Sequence, residues 1–370
     1  MIEGIVPAPL AQLPWRLLLL VIALGGFGTI VLYSAAGGSV APWAQSHLVR
    51  FCIFLVMAIL MSRIHVNVWR ELAFPLYVII LVMLLGVDLL GGISGGSQRW
   101  LDLGIIRLQP SELMKLGIVL ALARYYDMLP SGEIRSFVAV WPALLAIAGP
   151  LLLVAIQPDL GTALMITFGG VTVMFLAGLP LRLFIGTGLA AAAFIPIAFN
   201  FLLHGYQRNR VLTFLDPESD PLGTGYHITQ SKIAIGSGGL FGKGFLNGTQ
   251  SHLDYLPEGH TDFVFATMAE EWGLLGGLFV ITLFLLITRW GMRVADRAPT
   301  RFARLTAAGL TMTIFFYVMI NLLMVMGLAP VVGIPLPLVS HGGTAMLTVM
   351  LCLGVIMSIE RSNRTANRLR

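Results

Sequence analysis

Charged residues are scarce in this sequence, so the few that border apolar runs are its best candidates for chemistry. Of 370 residues, 11% are charged and 57% are hydrophobic, against about 25% and about 45–50% in soluble domains. Asp262 closes a long polar stretch and immediately precedes Phe263-Val264-Phe265-Ala266. A carboxylate at such a boundary is partly desolvated, which raises its proton affinity and suits it to general-base work. An aspartate at a helix start is equally suited to capping. Glu112 and Lys115 stand three apart, on one helical face. They form either a neutralising ion pair or a phosphate-binding lysine whose glutamate positions it or holds a cation. Arg208 and Arg210, within Tyr206-Gln207-Arg208-Asn209-Arg210, either snorkel to lipid head groups or hold an anion.

Ten candidate spans must position these groups: 15–34, 47–63, 74–91, 111–128, 137–156, 160–178, 182–203, 263–288, 303–327 and 341–359. The fold class is an all-α polytopic membrane protein of about ten transmembrane helices, with a large extracytoplasmic loop between spans 7 and 8. With the N-terminus inside, most of the 23 Lys and Arg fall on the inner side, which orients both termini to the cytoplasm. The net charge of +5 is then a topology signal, and nucleic acid is not a partner. In that orientation spans 4, 6, 8 and 10 begin at the outer surface with Pro110-Ser111-Glu112, Gln157-Pro158-Asp159, His260-Thr261-Asp262 and Ser340-His341-Gly342-Gly343. Helix N-termini bind phosphate, and Gly342 and Gly343 leave their amides unshielded, so four starts converging on one outward site would seat an anion. Ser, Thr and Asp are also ordinary caps.

The segment 204–261 is the longest connection, and its Tyr226 to Ile235 stretch suits a short interfacial helix. Its Gly236-Ser-Gly-Gly run implies flexibility, through which a protein bound outside would reshape the groove between Arg210 and Asp262. No linker divides residues 1–370, so one integral membrane domain is expected. Gly236 to Gly244 fails the P-loop pattern, because Ser237 and Gly244 occupy required Gly and Ser/Thr positions; no nucleotide is expected. The outer histidines lack an i, i+4 pair for zinc, and Cys52 and Cys352 lie inside apolar runs. Glu270 and Glu271, deeper in span 8, are expected to pair within the bundle.

From QRWLDLG (98–104), QPSE (109–112), QPDLGT (157–162), YQRNRV (206–211), DPESDPLGTGYH (216–227), QSKIAIGSGGLFGKG (230–244), LPEGHTDF (256–263) and PLPLVSHGG (335–343), the chain resembles the elongation branch of the SEDS family (shape, elongation, division and sporulation) along its whole length. The resemblance implies a ten-span fold in the bacterial cytoplasmic membrane. It also implies glycosyltransferase activity that polymerises lipid II into peptidoglycan on the outer face, serving cell elongation and rod shape. The implied partners are a class B penicillin-binding protein, other elongation-complex membrane proteins and membrane lipids. The family's essential acid falls on Asp262, and its cavity residues on Glu112, Lys115, Asp159, Gln207 and Arg210. His341 stands where many relatives have Tyr.

Residues and resemblance lead to one expectation. Asp262 deprotonates the acceptor sugar, while Lys115, Arg208, Arg210, the helix ends at Ser340, Gly342 and Gly343, and a divalent cation (Mg2+ or Mn2+) stabilise the departing pyrophosphate. The metal would be held by Glu112, Asp159 or Asp262. The alternatives are a transporter or flippase for the lipid-linked precursor, which should bind near the midplane on broken helices, and a non-catalytic scaffold of a cell-wall synthase.

Overall fold

A run of about 20 apolar residues spans a ~30 Å hydrocarbon core as a helix, because a helix satisfies its backbone internally. Each of the ten expected segments overlaps a helix in the computed structural model, which describes residues 13–90, 92–94, 97–102, 107–130, 132–201, 205–216, 223–253 and 255–368. The first seven are α1 (Trp15–Ala35), α2 (Trp43–Met61), α3 (Val66–Leu90), α4 (Pro110–Met128), α5 (Phe137–Ile156), α6 (Leu160–Ala177) and α7 (Leu181–Phe201). After three shorter helices, α8 (Gly205–Leu215), α9 (Thr224–Gly238) and α10 (Thr249–His252), come α11 (Val264–Asp296), α12 (Arg301–Val325) and α13 (Gly343–Arg368). Among the described residues, nine helices are long and apolar enough to cross a membrane. The chain is a multi-pass, all-α membrane protein.

The exception is α4, whose 19 residues include Glu112, Lys115, Arg124 and Asp127. It tolerates them because it is wrapped by α3, α5, α6, α12 and α13 and buried nearly all round. Helix α12 is the other central element, packed on α4, α6, α9, α11 and α13. Close approach of α12 to α4 needs Gly309, where a Cβ would stand 2.7 Å from Val119 Cγ1. At the opposite end of α4, Asp127 pairs with Arg70 at 2.8 Å and Arg124 at 3.2 Å and accepts the Phe302 amide at 3.1 Å, fixing the start of α12. Among the described residues of α7 none is fully buried inside the protein, as expected of a helix facing lipid.

Two connections depart from the sequence reading. The segment after α3 forms a small antiparallel ribbon, β1 (Gly92–Ser94), β2 (Ser97–Asp102) and β3 (Arg107–Leu108), paired in that order. No strand was expected there. The glycine-rich turn after α9 is built into the bundle rather than loose. Helix α11 breaks at Gly273 (φ 62°, ψ −158°), and the turn occupies the break. Lys243 and Gly244 amides donate to the Glu270 and Glu271 carbonyls at 2.9 and 3.0 Å, while the Leu274 and Leu275 amides donate to Gly239 and Leu240 carbonyls at 2.9 and 3.3 Å. Only glycine fits at Gly242, with φ at +80° and an added Cβ 2.0 Å from the Glu271 carbonyl oxygen.

Glu270 and Glu271, both buried, complete the stitch. Glu270 Oε1 accepts from Lys243 Nζ at 2.6 Å and from the Thr249 amide at 2.9 Å, and Ser34 Oγ donates to Glu271 Oε1 at 2.6 Å. This is the pairing within the bundle that their depth requires.

Candidate functional site

Helix starts and irregular backbone meet around a cavity of about 370 Å3. Glu112 from the first turn of α4, Asp159 and Thr162 from the start of α6, and Thr344 from the start of α13 line it, with Arg99 and Trp100 from β2 and Gln109 beside them. The opposite wall is Gly333, Ile334 and Pro335, from the non-helical stretch between α12 and α13. The fourth expected helix start adjoins that wall: a Cβ on Gly333, whose φ is +70°, would stand 3.4 Å from Asp262 Oδ2. Asp262 is half-buried. Helix α11 begins after Phe263 as its cap residue, so the aspartate sits one position before the capping site.

Asp159 does cap its helix. Its Oδ1 accepts the Thr162 amide at 3.2 Å, and its Oδ2 accepts from Gln109 Nε2 at 3.2 Å. Arg99 reaches over the same start: Nε donates to the Gln157 carbonyl at 3.1 Å, Nη2 to the Pro158 carbonyl, and Nη1 lies 3.9 Å from Asp159 Oδ2. At the start of α13 the His341 amide donates to the His260 carbonyl at 3.0 Å, and His47 Nδ1 lies 3.2 Å from the Ser340 carbonyl. The Gly342 amide donates to Ser340 Oγ at 3.3 Å, and Arg50 lies against Gly343, where a Cβ would stand 3.1 Å from Nη1. His260 stacks on Trp43 at 4.0 Å between ring centroids. Burial lowers the pKa of both His260 and His341, aided at His341 by the nearby Arg50.

Glu112 and Lys115 are paired, Oε1 to Nζ at 2.5 Å, inside a larger network. Tyr317 of α12 accepts from Lys115 Nζ at 2.6 Å and donates to Glu112 Oε2, which also accepts from Thr348 Oγ1 at 3.1 Å. Lys115 is 1% exposed, so its ammonium is enclosed while Glu112 still borders the cavity.

The cell cycle protein model for FtsW, RodA and SpoVE matches residues 13–365. The chain belongs to this family. Its relatives include peptidoglycan glycosyltransferase MrdB of Escherichia coli (strain K12), 47% identical over 95% of this chain and 94% of that protein. A solved structure reported as "Structural coordination of polymerization and crosslinking by a peptidoglycan synthase complex" contains a similar chain, with TM-score 0.82, 33% identity and coverage of 95% of this chain and 98% of that one. The crystal structure of the Thermus thermophilus rod shape determining protein RodA matches with TM-score 0.70 and 30% identity, over 95% of this chain and 97% of that chain.

Within this family fold, Glu112, Asp159, Asp262, Ser340, Gly342 and Gly343 gather around or beside one cavity. Among the described residues Arg208 does not join them by contact: its guanidinium lies 5.1 Å over the Phe199 ring and donates to Asn200 at 3.4 Å, near the end of α7. Gln207 and Arg210 are on α8, and their side chains lie outside the described residues. Sequence reasoning missed Arg99, Trp100, Gln109, Thr162, Tyr317, Asn321 and Thr348. The available signal was polar side chains at helical spacing inside apolar runs, such as Tyr317 and Asn321, four apart in α12.

Proposed function

We propose that this protein is a peptidoglycan glycosyltransferase that polymerises lipid II on the outer face of the bacterial cytoplasmic membrane during cell elongation and rod-shape maintenance. The observation that carries this reading is the polar cavity at the convergence of four helix starts, with the Asp262 carboxylate against its Gly333 wall. Ten spans with both termini cytoplasmic would open this cavity outward.

Lipid II carries a pyrophosphate between its sugar and its polyprenyl chain. Its polymerase therefore needs a base near a sugar hydroxyl and positive potential near the diphosphate. Asp262 takes the proton of the acceptor 4-hydroxyl; that oxygen attacks the donor's anomeric carbon with inversion, and the bond to undecaprenyl pyrophosphate breaks with its electrons leaving on the diphosphate. The amides at the starts of α6 and α13 meet the growing negative charge, together with Arg99, Arg210 and the charge of Lys115 beneath Glu112.

Glu112 and Asp159 both line the cavity. Glu112 already accepts from Lys115, Tyr317 and Thr348, and Asp159 from the Thr162 amide and Gln109. A carboxylate has about four lone-pair sites, so each has room to give an oxygen to Mg2+, which prefers one or two carboxylates plus substrate phosphate oxygens. Among the described residues no group of three His, Cys, Asp or Glu could hold a metal alone, so the substrate would complete the site. Mg2+ or Mn2+ bound there would neutralise the leaving diphosphate. The partner in this reading is a class B penicillin-binding protein that crosslinks the new glycan, within a larger elongation complex; the match to a chain of a polymerising and crosslinking complex supports it.

The test is polymerisation of purified lipid II by the full chain with its transpeptidase, in nanodiscs. Loss of a general base lowers the rate about 10²–10⁴-fold, so Asp262→Ala and Asp262→Asn should be inactive while folded. Wild-type polymerisation by folded Asp262→Ala overturns the assignment.

A further inference from the structure

We propose that Asn321 is the positioning residue that sets the Asp262 carboxylate against the cavity wall. The inference rests on the reading of Asp262 as the base. Asn321 lies on α12, one turn beyond Tyr317, and is fully buried. Its Nδ2 has two hydrogens, and both are used. One bonds the Asp262 carbonyl at 2.8 Å, and the other bonds the Ile334 carbonyl at 2.7 Å.

Those carbonyls belong to different segments, neither of them helical. Asp262 lies in the turn ahead of α11, and Ile334 belongs to the stretch between α12 and α13. Each has backbone bonds of its own, the Thr261 and Phe263 amides to the Glu258 carbonyl at 3.0 and 3.2 Å and the Ser340 amide to the Leu336 carbonyl at 2.9 Å. The separation of the two segments decides where Asp262 Oδ2 stands relative to Gly333, Ile334 and Pro335. The His341 amide, bonded to the His260 carbonyl, joins the two segments at one point, and the Asn321 amide, anchored on a central helix, ties them directly at Asp262 and Ile334. The side chain type follows from the task. Leucine has similar size and no donor, so it would leave two carbonyls at a buried position without this partner; aspartate would turn an acceptor toward both of them.

Positioning matters because a displacement of about 1 Å at a reacting group can cost about 10²-fold in rate. Asn321 touches no substrate in this scheme. It acts through Asp262, so its loss should appear in turnover rather than in binding.

The experiment uses the full chain in nanodiscs and measures kcat and KM for lipid II, with thermal unfolding as a control. Asn321→Leu and Asn321→Ala should lower kcat by about tenfold or more with KM unchanged, and Asn321→Gln, which keeps both donor hydrogens, should recover part of kcat. Wild-type kcat in folded Asn321→Leu, or a raised KM with kcat intact, overturns the proposal. Should the apolar variants not fold, kcat is compared between Asn321→Gln and Asn321→Ser, with two donor hydrogens and one. The proposal requires kcat to follow donor number at matched stability, and independence from it is a refutation. Asp262→Ala run alongside separates the two claims. Activity in that variant removes the base itself, whereas an inactive Asp262→Ala beside a fully active Asn321→Leu removes only the positioning role.

Discussion

Replacing Lys115 with methionine tests what its enclosed charge is for. Its Nζ lies 2.5 Å from Glu112 Oε1, 2.6 Å from Tyr317 Oη and 4.2 Å from the centre of the Tyr317 ring, at 1% exposure. Removing one partner of such a pair leaves the other charge buried and uncompensated, which costs about 3–5 kcal/mol, whereas replacing both partners is often neutral. Lys115→Met should therefore lose about 3–5 kcal/mol, and Lys115→Met with Glu112→Gln should recover most of it. Thermal and denaturant unfolding in one detergent, followed by tryptophan fluorescence, gives both values. Activity should not recover with stability, because the double variant has lost the positive charge beneath the cavity floor and the carboxylate that lines it. Wild-type stability in Lys115→Met would refute the energetic argument. Wild-type polymerisation by the double variant would refute any role of this pair in the reaction.

Gly242→Ala should destabilise by about 1–3 kcal/mol or more and speed hydrogen exchange at the Leu274 and Leu275 amides. Gly236→Ala, in open space within α9, should be neutral or stabilising by up to about 1 kcal/mol. Asp159→Ala should cost about 0.5–2 kcal/mol as a lost cap and also reduce polymerisation, while Arg208→Ala leaves polymerisation near wild type; rates normalised to folded protein check both. His260 and His341 sit below their ordinary value of 6.5, so the unfolded chain binds more protons than the folded one under mildly acidic conditions. Stability should be full above pH 6.5 and decline as pH falls below it, and His341→Gln should flatten that decline in thermal unfolding scans.

Helices were legible because each is set by its own stretch of chain. A run such as Phe137–Ile156 needs no distant partner to declare itself. The convergence of Glu112, Asp159, Asp262 and Gly343 was also legible, since alternate helix starts must share one side of a bundle. What the sequence conceals is pairing across distance. Ser34 bonds Glu271 and Tyr317 bonds Glu112, residues 237 and 205 positions apart, and no local period encodes either. The Gly236 to Gly244 run misled for the same reason. Glycine permits both a loose tether and a backbone pressed into a broken helix, and only the break at Gly273 distinguishes them.

Irregular backbone enclosed within a helix bundle is tolerated only where other groups satisfy it, and that requirement explains why so many polar side chains beside the cavity are already engaged. Arg99 gives Nε and Nη2 to carbonyls of the turn before α6, Asn321 gives both amide hydrogens to the walls, and His47 serves the Ser340 carbonyl. Charge counting alone would assign Arg99 to an anionic substrate. Its geometry gives it two tasks at once: a guanidinium presents five donors in a rigid plane, so it can hold two carbonyls and still turn Nη1 toward Asp159 and the cavity. A lysine carries the same charge without that fork, and would have to release the turn in order to face the substrate. The positive potential that Arg99 brings to the site thus comes from a group that also holds the turn before α6 in place.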